Sequence, residues 1–264
     1  VFFVLPFSLF SQNSSRISYS INSGWKFHKG EIDTTSKAED WQTVNIPHTW
    51  NASDPFDNVS GYYRGVGWYT KNITAPQEWS NRKIYLHFNG VNQDAQILIN
   101  NKLAGTHQGG YTAFTIDITS FLNFGTQNTI TVRADNIYNK NIPPLNADFN
   151  FYGGIYRDVQ LMITGPVHFD MNNYASYGVF IETPQVSVAK STILVRGRIY
   201  NETLGNKDLE VYTSILNKDY KEIAKSRTTV TIAAGTTSEF RQDDLVITNG
   251  LLWSPQSPYL YSVR

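Results

Sequence analysis

The chain has 264 residues, 41% of them apolar, enough for about two packed domains. Its 22 basic and 22 acidic residues cancel, and no basic tract suited to a phosphate backbone occurs, which argues against nucleic acid as a partner. Cysteine is absent, which excludes disulfides, thiol catalysis and thiolate metal sites, while the 14% of aromatic residues suits β-sheets and flat apolar ligands such as sugars.

The first twelve residues, VFFVLPFSLFSQ, are apolar, uncharged and too short to span a bilayer. They match the apolar region of a secretory signal, with Ser11 near a cleavage point; a buried first strand is the other reading. The expectation is a partial signal peptide over 1–12 and an exported protein, periplasmic or extracellular. No other segment has the length and apolarity of a transmembrane helix.

From there the dominant pattern is alternation with a period of two, the mark of half-buried strands. Ile84 to Phe88 alternates. Gln96 to Ile99 runs through Asn100-Asn101 into Leu103, which predicts a hairpin, since Asn tolerates the left-handed backbone of a tight turn. Ile130 and Val132 predict another strand, and Val159, Leu161 and Ile163 one more. Turn residues are dense between them: Asn89-Gly90, Gly109-Gly110, Pro143-Pro144 and Gly153-Gly154. Short strands with such punctuation predict a β-sandwich or barrel.

Gly165-Pro166 interrupts the series, and the domains are expected at 13–164 and 165–264. In the second, Ile193, Val195 and Ile199 share one strand face, Leu209 to Ile215 another, and Val230 and Ile232 a third. About 100 residues with this spacing fit an immunoglobulin-like sandwich. Trp253 is expected to anchor its core. Leu260 to Arg264 alternates like a strand with nothing after it, so the sandwich is expected to be incomplete and the sequence truncated at that end.

The chemistry is sparse. There is no Gly-x-Ser-x-Gly elbow and no phosphate-binding glycine loop. The five His residues are scattered, so no metal site is expected, and no residue present requires a cofactor. His48 beside Trp50 suits a structural hydrogen bond. Asn201-Glu202 resembles an acid/base dipeptide but lies between strands and reads as a turn. Arg64, Arg157 and Asp158 read as ion-paired strand residues. Asp148 stands apart, a carboxylate among Phe149, Phe151 and Tyr152. An aromatic wall with one carboxylate suits a sugar; a turn cap or a pair with Arg157 would suit it equally.

A series of motifs resembles the N-terminal region of glycoside hydrolase family 2, which holds β-galactosidases, β-glucuronidases and β-mannosidases. They are IPHTWN (46–51), YYRGVGWYTK (62–71), LHFNGVNQDAQILINNKLAGTHQGGYTAFTIDIT (86–119), FYGGIYRDVQL (151–161) and LWSPQSPYLYSV (252–263). The similarity runs from about Ile21 to Arg264, and its strength lies in the number and order of the motifs. It implies an all-β chain: a jelly-roll, galactose-binding-like sandwich followed by the immunoglobulin-like one. A (β/α)₈ barrel with two catalytic glutamates would follow outside this sequence, so no catalytic residue is expected here and the chain alone is expected to be inactive. The resemblance also implies that Asp148 reaches the bound sugar in that barrel, with Asn58, in FDNVSGYY, as a second substrate contact.

The reading that results is the non-catalytic front of a retaining exo-β-glycosidase, with β-galactosidase placed first among the activities. Its partners would be a β-linked oligosaccharide and the barrel of the same polypeptide, with homo-oligomerisation left open. The alternatives are a self-standing carbohydrate-binding module and an adhesion protein built of sandwiches. Neither the sugar nor metal dependence is legible from these residues.

Overall fold

The computed structural model describes residues 16–32, 41–58 and 61–264. The apolar stretch 1–12 lies outside them. By internal contacts the chain divides into two compact units, 1–165 and 166–264.

The described residues of the first unit form β1 (Ile17–Ser20), β2 (Trp25–Lys29), β3 (Gln42–Val44), β4 (Val66–Ala75), β5 (Lys83–Phe88), β6 (Asp94–Ile99), β7 (Lys102–Gln108), β8 (Phe114–Asp117), β9 (Thr126–Asp135) and β10 (Val159–Thr164). They form two antiparallel sheets, in the orders β1-β10-β5-β8 and β3-β2-β4-β9-β6-β7. This is the jelly-roll sandwich. The alternation in the sequence decides which side chains fill it. Ile130, Val132 and Ala134 of β9 and Ala95, Ile97 and Ile99 of β6 point into one core with Trp25, Tyr69, Leu86 and Phe88. The expected hairpin joins β6 to β7, with Asn100 and Asn101 both left-handed, at φ 52° and 65°.

β5 departs from simple alternation. It lies between β10 and β8, and Tyr85 and His87, on the face away from the core, are buried as well. His87 tolerates this because its ring nitrogens meet the Thr115 hydroxyl and the Asn89 side chain.

The second unit holds β11 (Val167–Phe169), β12 (Val179–Gln185), β13 (Lys190–Asn201), β14 (Lys207–Leu216), β15 (Glu222–Ile232), β16 (Thr236–Thr248) and β17 (Ser262–Val263). β13 pairs with β11 and β12 along one edge and with β16 along the other, while β14 lies between β15 and β17. Ile193, Val195, Ile199, Val211, Ile215, Val230 and Ile232 pack with Phe240 and Leu245 between the sheets, an immunoglobulin-like sandwich. Asn201 is buried at the end of β13. Its amide closes the turn to β14 on the Gly205 and Ile232 carbonyls, so Asn201-Glu202 is a turn and not an acid/base pair.

One expectation for this unit fails. Trp253 is 58% exposed and does not anchor the core; it follows the last long strand, in a segment whose own pairing is the isolated bridge Ser254–Ser257. The alternating stretch 260–264 does hold a strand, the short β17, opposite Ile215 and Leu216.

Candidate functional site

Asp148 sits on the long connection between β9 and β10, which carries no regular structure apart from a single bridge between Asn92 and Gly154. Its carboxylate is exposed and makes no hydrogen bond or ion pair among the described residues. Neither a turn cap nor a pair with Arg157 is present. Phe149 beside it is half exposed and meets the buried Phe151 edge to face at 5.5 Å.

Beyond Asp148 the chain is anchored main-chain atom by main-chain atom. The Phe151 amide donates to the Tyr62 hydroxyl at 3.2 Å, and the Phe151 carbonyl accepts from the Asn136 side chain at 2.9 Å. The Tyr152 carbonyl accepts from Asn92 at 2.7 Å. The Gly153 amide donates to Asn51 Oδ1 at 2.7 Å, and Gly154 exchanges two main-chain bonds with Asn92. The Ile155 carbonyl accepts from the His48 amide. Gly153 and Gly154 permit this closeness. A methyl group on Gly153 would fall on the Trp50 ring, and Gly154 has φ +121°, a conformation open to glycine.

The anchors converge on a buried polar hub. Asn51 and Asn136 are fully buried. Asn51 Nδ2 donates to Asp54 Oδ2 at 2.6 Å and to the Tyr63 carbonyl at 2.8 Å, and Asn136 Oδ1 accepts from the Gly65 amide at 2.8 Å. Asp54 Oδ2 also accepts from the Tyr63 amide at 2.8 Å, and Lys29 lies 4.0 Å from its other oxygen. Burial pushes the Asp54 carboxyl up, but the bonds from Asn51 and Tyr63 and the charge of Lys29 outweigh it and hold it below the ordinary carboxylate range. The hub therefore contains a real charge, satisfied by donors.

Asn58 lies four residues past Asp54, exposed and without a hydrogen bond among the described residues. Its loop and the Asp148 segment are thus tied to the same hub, through Asn51 and Tyr63 on one side and Asn136 and Phe151 on the other. His48 Nδ1 meets the Tyr69 hydroxyl at 2.8 Å beneath them, the expected structural bond. Burial lowers the His48 pKa, so its ring is neutral.

Arg64, Arg157 and Asp158 are not ion-paired strand residues. All three lie outside strands. Arg64 donates to the Asn136 carbonyl and covers the ring faces of Phe151 and Tyr138; Arg157 donates to the Asn89 and Tyr111 carbonyls; Asp158 accepts from Asn22. Carbonyls and ring faces, acceptors that no sequence spells out, replace the expected opposite charges.

Asp94 and Asp135 face each other across β6 and β9 beside a cavity of about 440 Å³. Both are already engaged, Asp135 by Arg133 and the Ile137 amide, Asp94 by Gln108. Among the described residues no group of three His, Asp or Glu side chains could hold a metal ion, and no helix is long and apolar enough to cross a membrane. What the arrangement offers is the carboxylate of Asp148, free among the described residues and next to an anchored segment, with the exposed amide of Asn58 and half-exposed aromatic rings. Sequence reasoning singled out Asp148 and Asn58 as candidates but not the buried anchors Asn51, Asp54, Asn92 and Asn136; the local hint was an Asn placed directly after Trp50 in IPHTWN.

Two antiparallel sandwiches in series define an all-β protein of the sandwich class. Residues 7–166 match the family model described as glycosyl hydrolases family 2, sugar binding domain, and residues 178–264 match the model described as glycosyl hydrolases family 2. The chain belongs to glycoside hydrolase family 2. It is 35% identical to a β-glucuronidase of Bacteroides fragilis over 99% of its own length and 36% of that protein's. It is 28% identical to a β-galactosidase of Bacteroides ovatus over 95% of its own length and 29% of that protein's. Among solved structures, it superimposes on Bacteroides uniformis β-glucuronidase 2, covalently bound to cyclophellitol-6-carboxylate aziridine, with a TM-score of 0.88 and 38% identity, covering 94% of this chain and 30% of that one. The chain therefore spans about a third of the length of the relatives it matches.

Proposed function

We propose that this chain is the sugar-recognising front of a retaining exo-β-glycosidase, in which Asp148 and Asn58 contact the terminal sugar while two glutamates outside this sequence cleave the bond. Retaining cleavage needs two carboxyl groups roughly 5–5.5 Å apart, one as nucleophile and one as acid/base. In this reading those two groups belong to the barrel expected outside this sequence, and this chain's part is recognition.

The observation that carries the reading is the free carboxylate of Asp148 at the tip of a segment anchored from Phe151 onward. An ionised carboxylate accepts from two sugar hydroxyls at once, and such charge-assisted bonds are strong where the partner is held still. In this reading a β-galactoside is taken first as substrate, the similarity to β-glucuronidases supports a β-glucuronide beside it, and the choice between them would rest with residues outside this chain, which must supply a cation if the sugar is a uronate. Export belongs to the same proposal and rests on the apolar, uncharged stretch 1–12.

The test is Asp148→Ala in the natural full-length polypeptide, assayed with nitrophenyl β-galactoside and β-glucuronide. The expected result is a higher KM and lower kcat, with kcat/KM down about tenfold or more, the worth of a charge-assisted hydrogen bond. An unchanged kcat/KM on the cleaved substrate would overturn the assignment.

A further inference from the structure

Two amides buried in one core are costly unless every donor and acceptor is used. Apart from the Asn51 bond to Asp54 and their contact with each other, Asn51 and Asn136 use theirs on main-chain atoms of residues 61–65 and 151–153, not on strands. They also lie close to one another, Asn136 Nδ2 to Asn51 Oδ1 at 3.5 Å. Sandwich strength alone does not call for this, because the strands on either side are already paired along their length.

We infer that Asn51 and Asn136 form a positioning device, which sets the place of the Asp148 carboxylate by fixing the main chain at Phe151 and Gly153. The inference rests on the reading of Asp148 as a sugar contact. Asp148 lies three positions before Phe151, a reach of about 10 Å, so the place of the Phe151 peptide limits where the carboxylate can go. Trp50 closes the alternative on one side, since its ring fills the space a side chain at position 153 would need. Asp54 extends the device to the loop of Asn58. Its carboxylate holds the Tyr63 amide, and its charge strengthens the bond from Asn51. Asn51 and Asn136 touch no sugar in this arrangement and act through Asp148.

Buried as it is, Asn51 also cannot serve as a glycan acceptor, although Asn51-Ala52-Ser53 has the acceptor pattern.

The experiment is a double-mutant cycle in the natural full-length polypeptide. Asn136→Asp is isosteric. It keeps the acceptor for the Gly65 amide and turns the donor toward the Phe151 carbonyl into a second oxygen. It is expected to lower kcat/KM about tenfold in the wild-type background, since small misplacements cost that much, and less than about twofold in the Asp148→Ala background. Tyr62→Phe, which removes the acceptor of the Phe151 amide without burying a charge, is expected to show the same dependence on Asp148 with a smaller loss, about threefold. It serves if Asn136→Asp fails to fold. Asn128→Ala is the control, because Asn128 is as deeply buried but bonds Asn123, Thr126 and Asn100, away from the segment. It should lower Tm and leave kcat/KM alone. Equal losses in both backgrounds, or no loss from Asn136→Asp and Tyr62→Phe while Asp148→Ala is impaired, would overturn the positioning role. Asp148→Ala without effect would instead overturn the sugar contact, and the device with it.

Discussion

The side-chain oxygen of Asn51 accepts a hydrogen bond from the Gly153 amide, 102 residues further along the chain, at 2.7 Å. The bond is possible because Gly153 packs against the Trp50 ring where a side chain would collide with it. Residues 50 and 51 thus hold the same glycine from two neighbouring positions.

Gly153→Ala should therefore be severe. The added methyl group would overlap the Trp50 ring, and Trp50 cannot retreat because it stacks on Phe27 with ring centroids 6.1 Å apart. Overpacking of this kind costs about 1–3 kcal/mol, and more where neighbours are locked. The expected outcome is a drop of several degrees in the Tm of the first unit. Gly24→Ala is the comparison: its φ of +70° is also unfavourable, but nothing lies within 4 Å of the new methyl group, so it should cost about 1 kcal/mol. Equal melting temperatures for the two variants would contradict the tight seat of Gly153.

Stability should fall with pH in two stages. Burial lowers the pKa values of His48, His87 and His107 below the ordinary 6.5. Between that value and the lower folded ones, the unfolded chain binds more protons than the folded chain. The contribution is therefore complete above about pH 6.5 and is lost as pH falls through the folded values. Asp54 adds a later stage. Its folded pKa lies below 3.8, so its share is present above that value and lost as pH falls through the folded one. Denaturant midpoints measured at about pH 8, 6.5, 5 and 3.5 should be flat over the first step and then decline. A midpoint constant down to about pH 5 would show that the three imidazoles protonate freely in the fold.

Much of the fold was legible because its information is local. Alternation marked β9, β10 and β13, and Asn100-Asn101 marked the turn. The hub was not legible. Asn51 and Asn136 spend their bonds on main-chain atoms brought near by topology, and such acceptors leave no trace in residue type or spacing. Arg64 and Arg157 misled for the same reason, since a guanidinium on a carbonyl looks in sequence like one awaiting a carboxylate. Asp148 was legible as an oddity, a charge among rings, because what marks it is the lack of a local partner.

Trp253 shows how a large aromatic residue can mislead. It is 58% exposed and borders an apolar cavity of about 310 Å³ with Leu252, Tyr261, Ile193 and Ile215. Trp253→Ala should cost the second unit less than about 1 kcal/mol, because little of the ring leaves an apolar environment. Phe240→Ala, from β16 in the middle of the core, should cost about 3–5 kcal/mol. Urea denaturation of both variants checks the contrast, and comparable losses would restore Trp253 to the core.

Asn101→Gly should stabilise the first unit. Asn100 and Asn101 are both left-handed, the conformation of a two-residue turn whose twist matches that of the flanking strands. Asn100 is held there for its side chain, which bonds the Phe121 carbonyl, Asn128 and the Thr129 amide, so replacing it would strip all three of a partner. Asn101 is exposed, and its side chain makes no bond among the described residues. Glycine at 101 relieves the cost of positive φ at the expense of a more flexible unfolded chain, leaving a gain of about 0.5 kcal/mol. The expected readout is a rise of about 1–3 °C in Tm, with Asn100→Gly moving the other way. A lower Tm for Asn101→Gly would mean that the Asn101 side chain contributes to the hairpin through contacts the folded structure does not display.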